Sequence, residues 1–170
     1  MTTEEVLDAI ARERARLMKA IDALGPHASI VPVTEEGWTA KNVLAHLIHW
    51  ATQIAFGLGA QIEPPVYVLE ERRRRSQAGL SDRMPSGDEW NALAVASYRD
   101  VPLDQVRSEF EGSVEALSAQ ARLRTDDEMS DTDAIPWAPN RPLWHFIAGD
   151  TFLHWPLHAE AIERAATREA

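Results

Sequence analysis

Apolar residues recur along most of the chain at the three- and four-residue spacing of amphipathic helices. The first helix is predicted to begin after Thr2 or Thr3, either of which can act as an N-cap, and to run to about Leu24, before Gly25-Pro26 ends it. Its apolar stripe contains Val6, Ile10, Leu17 and Ile21. A second helix is predicted from about Thr39 to about Gly59, with a broad apolar face.

The middle of the chain has the least regular pattern. The stretch from about Ala60 to Gly87 contains "IEPPVYV", the charge run "EERRRR" and "RMPSGD". Two interpretations of the arginines at 72–75 remain open, a solvated helix face and an anion clamp near the mouth of a site. A third helical region opens at Asp88, and a new piece begins at Pro102 and runs to about Leu123.

A long polar loop precedes the last helix, which is predicted from about Pro142 to about Ala166. The pattern contains no convincing strand and no internal repeat. Four long helices with one irregular insertion after the second predict an all-α fold, an up-down four-helix bundle with a crossover connection. A chain of 170 residues fits a single domain over residues 1–170.

Composition is that of an ordinary soluble protein, with 45% hydrophobic and 26% charged residues. The formal net charge of -10 argues against a nucleic acid or an anionic membrane as partner. With no cysteine, the chain offers neither a disulfide nor a thiol nucleophile, so a bound metal needs His, Asp or Glu ligands. The N-terminus does not resemble a signal peptide and no apolar run approaches about 18 residues, so we expect a cytoplasmic protein.

The last predicted helix carries Asp150, His154 and His158 one turn apart. Projected at about 100° per residue, these three side chains fall on the apolar face of that helix. The apolar positions of the same face are Leu143, Ile147, Leu157 and Ala161. A hydrogen-bonded core histidine is the simpler explanation for one such residue, but a pair at i and i+4 behind an aspartate favours a metal site.

The remaining histidines separate by position. His46 borders the apolar stripe of the second helix and can face the bundle interior, whereas His49 lies nearly opposite the stripe and is predicted to face solvent. His27 follows Gly-Pro in a loop and is predicted to be exposed, and His145 lies on the opposite side of the last helix. His46 is therefore the candidate third metal ligand.

Three histidine ligands leave coordination positions open, which is typical of a catalytic metal site. Imidazoles suit Zn, Ni, Cu or Fe, and the sequence does not choose among them. Asp150 is the candidate catalytic residue, either as a partner that orients a histidine or as a base, with a fourth-ligand role as the alternative.

Three segments carry a family resemblance. "GWTAKNVLAHLIHW" and "GDTFLHWPLHAEAI" resemble the second-helix and last-helix motifs of the DinB/YfiT-like superfamily. "WNALAVASYRDVPLDQVRSEFEGSVEAL" resembles the branch with the ClbS/DfsB-like proteins and the mycothiol-dependent maleylpyruvate isomerase N-terminal domains. The resemblance implies an up-down-down-up four-helix bundle, often a homodimer, with a divalent metal, Zn or Ni, on His46, His154 and His158.

Pro156 departs from the family pattern, because a proline between His154 and His158 removes a backbone donor and crowds the carbonyl of Phe152. Either it breaks the helix in a way that aims the two rings, or it makes a tolerated kink on an outward face. Trp38 and Trp137 lie at loop–helix junctions and either pack in the core or wall a pocket.

Two functions of different classes compete. The first is a metal-dependent enzyme that transfers a low-molecular-weight thiol to a small electrophilic substrate, or hydrolyses that substrate, with the thiol as cosubstrate because the chain lacks cysteine. The second is a non-catalytic bundle that sequesters a small molecule, with a structural metal or none. No Ser-His-Asp order or phosphate loop is visible, so serine hydrolases and nucleotide enzymes are set aside.

Overall fold

α-Helices account for the regular structure of this protein. A computed structural model describes residues 1–80, 84–135 and 140–169. Its helices are α1 (Thr3–Leu24), a 3-10 turn (Gly25–Ser29), α2 (Ala40–Gly57), α3 (Val66–Gln77), α4 (Gly87–Ser97), α5 (Leu103–Arg122), α6 (Asp126–Ser130), α7 (Leu143–Gly149) and α8 (Trp155–Glu169). The all-α prediction is confirmed, while the up-down-down-up order stays a prediction. No helix in the described ranges is long and apolar enough to cross a membrane.

Side-chain caps explain where the principal helices begin. Thr2 accepts a hydrogen bond from the backbone of Glu5, whose carboxylate accepts one in return from the Thr2 amide, and this capping box starts α1. Thr39 and Asn42 form the equivalent box at the start of α2. Because each box satisfies two amides that the helix leaves free, it fixes the first turn and therefore the register of the apolar face that follows.

The core forms where two helix pairs pack together. α1 packs mainly against α8 and α2 against α5, and α1 also contacts α5. Trp155 is fully buried and meets the ring of Phe110 edge-on, with centroids 5.6 Å apart. Each large side chain buried here stabilises the fold by about 1.5–3 kcal/mol relative to exposure. The bundle is thus held by contacts between residues far apart in sequence.

The stretch predicted to be irregular contains a helix, α3. Its last turn is tied to α4 because Glu71 accepts hydrogen bonds from Arg74 and Arg75, and Arg75 also reaches Glu89. The hydrogen bonds from Arg74 and then Arg75 lower the pKa of Glu71 to about 2. Arg72 and Arg73 are exposed. The arginine run therefore divides into a solvated part and a part that anchors α3 on α4.

The predicted continuous last helix is wrong, because the chain breaks between α7 and α8. Residues 150–154 form turns, and Pro156 lies in the first turn of α8, where a helix does not need its missing amide. The turn is closed by bonds from the amides of His154 and Trp155 to the carbonyl of Thr151. This break also rotates the face of α8, so Leu157, predicted to be buried, is 64% exposed.

Candidate metal centre

His46, His154 and His158 converge from two distant parts of the chain. Each offers one ring nitrogen, and the three nitrogens lie within 4.8 Å of one another. The Nε2 atoms of His154 and His158 are 3.0 Å apart. Two nitrogens that bind one zinc ion in tetrahedral geometry are about 3.4 Å apart. The pair His154 and His158 is therefore close to the spacing of two ligands on one ion, and a nitrogen of His46 lies within 4.8 Å of both.

The backbone break at Pro156 contributes to this geometry. His154 lies in the turn before α8 and His158 lies inside the helix, yet their ring centroids are only 4.7 Å apart. The two rings are tilted by 53° to each other, and their Nε2 atoms approach to 3.0 Å. Of the two interpretations of Pro156, the structure supports a break that accompanies the aiming of the rings.

Asn91 on α4 determines the tautomer of His46. The Oδ1 atom of Asn91 lies 2.9 Å from Nε1 of Trp50, which can only donate, so Oδ1 is an acceptor there. The same oxygen lies 2.8 Å from Nδ1 of His46, which must then donate as well. His46 therefore carries its proton on Nδ1 and keeps the Nε2 lone pair free, which is how a histidine is prepared to bind a metal.

Burial keeps the three imidazoles neutral. The pKa of His46 is lowered to about 4 and that of His158 to about 3, mainly by burial and in part by the charge of a protonated histidine neighbour, while the hydrogen bond to Asn91 opposes the shift of His46. Burial also lowers the pKa of His154. Because only a neutral imidazole has a lone pair for a metal, the site is ready to bind one well below neutral pH.

The three histidines lie in the wall of a cavity of about 800 Å³. Its other walls come from the segment before α2 and from α4, and its polar and charged side chains include Thr34, Glu36, Lys41, Asp88 and Arg99. The cavity has the size of ordinary small-molecule sites. No residue of α3 lines it, so the arginines at 72–75 do not border this cavity, and α4 forms that wall instead.

Asp150 lies at the end of α7, outside the group of converging histidines and outside the lining of the cavity. It is partly buried, and burial raises the pKa of its carboxyl. No side chain in the described ranges hydrogen-bonds to this carboxyl. Its predicted catalytic role is not tested by this geometry and stays a prediction.

The prediction that His49 faces solvent is wrong. His49 is 1% exposed, its Nδ1 lies 2.9 Å from the hydroxyl of Tyr67, and its ring stacks on Trp90 with centroids 5.0 Å apart. The helical projection assumed one buried face, whereas α2 is covered by α5 and also by α4. The unbroken apolar run from Val43 to Ala45 and the apolar pair after His46 were the signal, since a helix that is apolar all round is buried all round.

The other sequence candidates are placed as follows. His27 is exposed, as predicted, and His145 is partly buried and is not part of the group. Trp38 lines the cavity and packs on His46 with centroids 5.3 Å apart, so it is a pocket wall. Trp137 lies outside the described residues. Asn91, which orients His46, was missed because α4 has only a weak helical pattern of its own, and without Asn91 the role of Trp50 as its second donor was missed too.

Comparison with known proteins identifies the fold. No family model and no curated protein matches the chain. Three solved structures match, each 14% identical. DfsB, described as a sibling lethal factor precursor, is matched over 99% of this chain and 97% of its own with a TM-score of 0.68. An uncharacterised protein from Escherichia coli UTI89 gives 0.67 over 99% and 94%, and a protein from Streptococcus pneumoniae gives 0.64 over 98% and 91%. At this identity the likeness establishes a shared fold alone.

Proposed function

We propose that this protein is a metal-dependent enzyme of the DinB-like type, with His46, His154 and His158 as ligands of a divalent ion, Zn or Ni. One observation carries the proposal: three neutral imidazole nitrogens within 4.8 Å of one another, in the wall of a cavity of about 800 Å³. The donor set fits a borderline metal, because it consists of nitrogen alone and leaves room for a further ligand from the cavity.

The chemistry follows from three histidine ligands and an open position. A divalent ion held in this way lowers the pKa of a bound water or thiol, so that a nucleophile exists near neutral pH. Since the chain has no cysteine, a thiol must enter as a low-molecular-weight cosubstrate. We infer transfer of such a thiol to a small electrophilic substrate, or hydrolysis of that substrate.

The side chains of the cavity have separate tasks in this proposal. Asn91 holds the His46 ring, and Trp38 provides an apolar surface against which a substrate can pack. Lys41 is held by the carbonyls of Arg99 and Val101, so its charge has a fixed place at the cavity. Asp150 does not line the cavity, so its role as base rests on the sequence and is tested by Asp150→Asn.

The likeness to DfsB in fold supports the DinB-like assignment, together with the two histidine motifs of α2 and α8. The same assignment implies a homodimer and a small-molecule substrate. Sedimentation equilibrium of the purified protein tests the first of these.

The activity experiment pairs metal-loaded protein with activated electrophiles, and with mycothiol, bacillithiol, glutathione or water as nucleophile. Turnover should require metal and should be lost in His46→Ala. His27→Ala is the matched control, because His27 is exposed and lies outside the group. Metal-dependent turnover in the parent and the control, but not in His46→Ala, is the expected result.

The competing function is a binding module, and the size of the cavity is the observation that favours it. It predicts stoichiometric binding of a small molecule that is recovered unchanged, with no dependence on His46. That outcome, with no turnover for any pair of electrophile and nucleophile, would replace the enzyme proposal.

A further inference from the structure

A second cavity, of about 780 Å³, lies between α2, α5, the segment that leads into α3 and the end of α4. It shares no lining residue with the histidine cavity. Apolar side chains make most of its wall, among them Ile48, Ile62, Val101 and Ala116, together with the rings of Tyr67 and Tyr98. Its size and its apolar wall are those of a site for a small organic molecule.

The charges of this second cavity all have one sign. Glu63, Glu70 and Glu109 line it, and no lysine, arginine or histidine is among the described residues that do. None of the three carboxylates forms an ion pair with a cation in the described ranges. A cleft with low-dielectric walls and charges of one sign concentrates the field inside it, and the net charge of -10 adds to the attraction for a cation.

Glu109 is held in a fixed position. Its Oε2 accepts a hydrogen bond of 2.6 Å from the hydroxyl of Tyr98, and its Oε1 accepts one of 2.9 Å from Gln105. Burial and the neighbouring carboxylate raise the pKa of Tyr98, so the phenol stays a donor. A carboxylate anchored by two neutral donors, with no ion-pair partner in the described ranges, is a prepared anchor for a cation.

Thr52 provides an independent sign of a ligand. It lines the cavity, is only 4% exposed, and its hydroxyl has no hydrogen-bond partner in the part of the chain that the structure describes. The other hydroxyls that line this cavity all have partners: those of Ser97 and Ser113 donate to backbone carbonyls, that of Tyr67 pairs with His49, and that of Tyr98 pairs with Glu109. The Thr52 hydroxyl therefore faces the cavity with its acceptor position open to a ligand donor.

A metal ion does not fit this cavity. Among the described residues, only the histidine group brings three ligand atoms close enough to hold a metal. Glu63, Glu70 and Glu109 do not form such a group. The apolar wall would also leave most of a hydrated ion uncovered. An organic cation places its charge at the carboxylates and its apolar body against the wall, and the two phenol rings can add cation–π attraction.

We propose that this cavity is a binding site for a small organic cation, an ammonium group on an apolar body, with Glu109 as its charge partner and Thr52 as its hydrogen-bond acceptor. The site is separate from the histidine centre and does not depend on the function proposed there.

The test uses three probes of one shape and different charge: phenethylammonium, 2-phenylethanol and 3-phenylpropionate. Affinities are measured by calorimetry on the full chain, and nuclear Overhauser effects from the probe to the Tyr98 ring locate it. We expect phenethylammonium to bind most tightly and 3-phenylpropionate not to bind.

Glu109→Gln should weaken the binding of phenethylammonium about tenfold or more, since it removes a charge-assisted bond while keeping the side-chain shape. Thr52→Val, which removes the hydroxyl at nearly constant volume, should weaken it several-fold.

The control variant is His46→Ala, which should leave phenethylammonium affinity unchanged, because that residue lines the other cavity. Thermal melting of each variant shows whether it is folded. Equal affinity for the charged and uncharged probes, or no loss in folded Glu109→Gln, would overturn the proposal. Loss in His46→Ala together with no contact to Tyr98 would place the probe in the histidine cavity and overturn it as well.

Discussion

His46 and His49 lie three residues apart on α2, and both are buried, at 5% and 1% exposure. Nδ1 of His46 donates to Asn91, so its Nε2 lone pair is free. Nδ1 of His49 lies 2.9 Å from the hydroxyl of Tyr67, which can donate or accept, so this contact does not prepare Nε2 in the same way. Its Nε2 is buried without a partner in the described ranges, and His49 belongs neither to the converging group nor to the lining of the histidine cavity.

The difference teaches that burial alone does not make a histidine a ligand. The partner of one ring nitrogen decides whether the other can bind a metal, and convergence with other rings decides whether it does. The two residues should therefore separate cleanly in experiment, with His46 controlling metal affinity and His49 controlling stability.

The largest expected effect is on metal affinity. His158→Ala or His154→Ala removes one of three ligands and should cost on the order of 3–4 kcal/mol of Zn²⁺ binding, roughly several hundred-fold. Titration against a competing chelator measures it. His49→Ala should bind Zn²⁺ as the parent does, and an equal loss in that variant would abolish the distinction between the two histidines.

The next effect is on stability, and here replacing His49 should matter more than replacing His46. His49→Ala removes a stacked, buried ring and leaves the Tyr67 hydroxyl without its partner, so it should lower the free energy of unfolding by about 2–4 kcal/mol. In metal-free protein, His46→Ala should cost less, because His46 lines a cavity. Urea denaturation of both variants measures the difference, and a larger cost for His46→Ala would contradict it.

A smaller effect concerns the residue that orients His46. Asn91→Leu removes the acceptor of the Nδ1 proton and should weaken Zn²⁺ binding about 10–100-fold without removing a ligand. Trp50→Phe is the matched control. It removes the second donor to Asn91 but keeps the hydrogen bond between Asn91 and His46. If Asn91→Leu binds Zn²⁺ like the parent, the tautomer assignment is wrong.

The smallest effect is on pH dependence. Burial lowers the pKa of His49 from its ordinary 6.5 to about 4. Between these values the unfolded chain binds a proton that the folded chain does not, so stability falls as pH falls from about 6.5 to about 4. His49→Asn should therefore lose about 1.8 kcal/mol less than the parent between pH 7 and pH 5 in metal-free denaturation. Glu71 does not interfere in this window. The stability that its lowered pKa contributes is lost only as the pH falls below the ordinary pKa of a glutamate.

Much of the fold and part of the site follow from local patterns. The spacing of Val6, Ile10 and Leu17 predicts α1, and the caps at Thr2 and Thr39 begin their helices where expected, because these interactions involve residues within one turn. The same local reasoning singled out His46, His154 and His158. It succeeded because burying a polar ring on an apolar face is unfavourable unless something pairs with that ring.

The environment of α2 is a different matter, since only the tertiary structure determines it. The apolar positions of α2 indicate that more than one face is buried, but not that α4 covers the second face, and α4 is tied to α3 by Arg75 bridging Glu71 and Glu89. That placement buries His49 and brings Asn91 to His46. The rotation of α8 after the turn at residues 150–154 likewise exposes Leu157 while keeping His154 and His158 together. The burial of His49 and the position of Asn91 depend on contacts between residues tens of positions apart, such as that of Asn91 with His46, whose energies a local pattern does not contain.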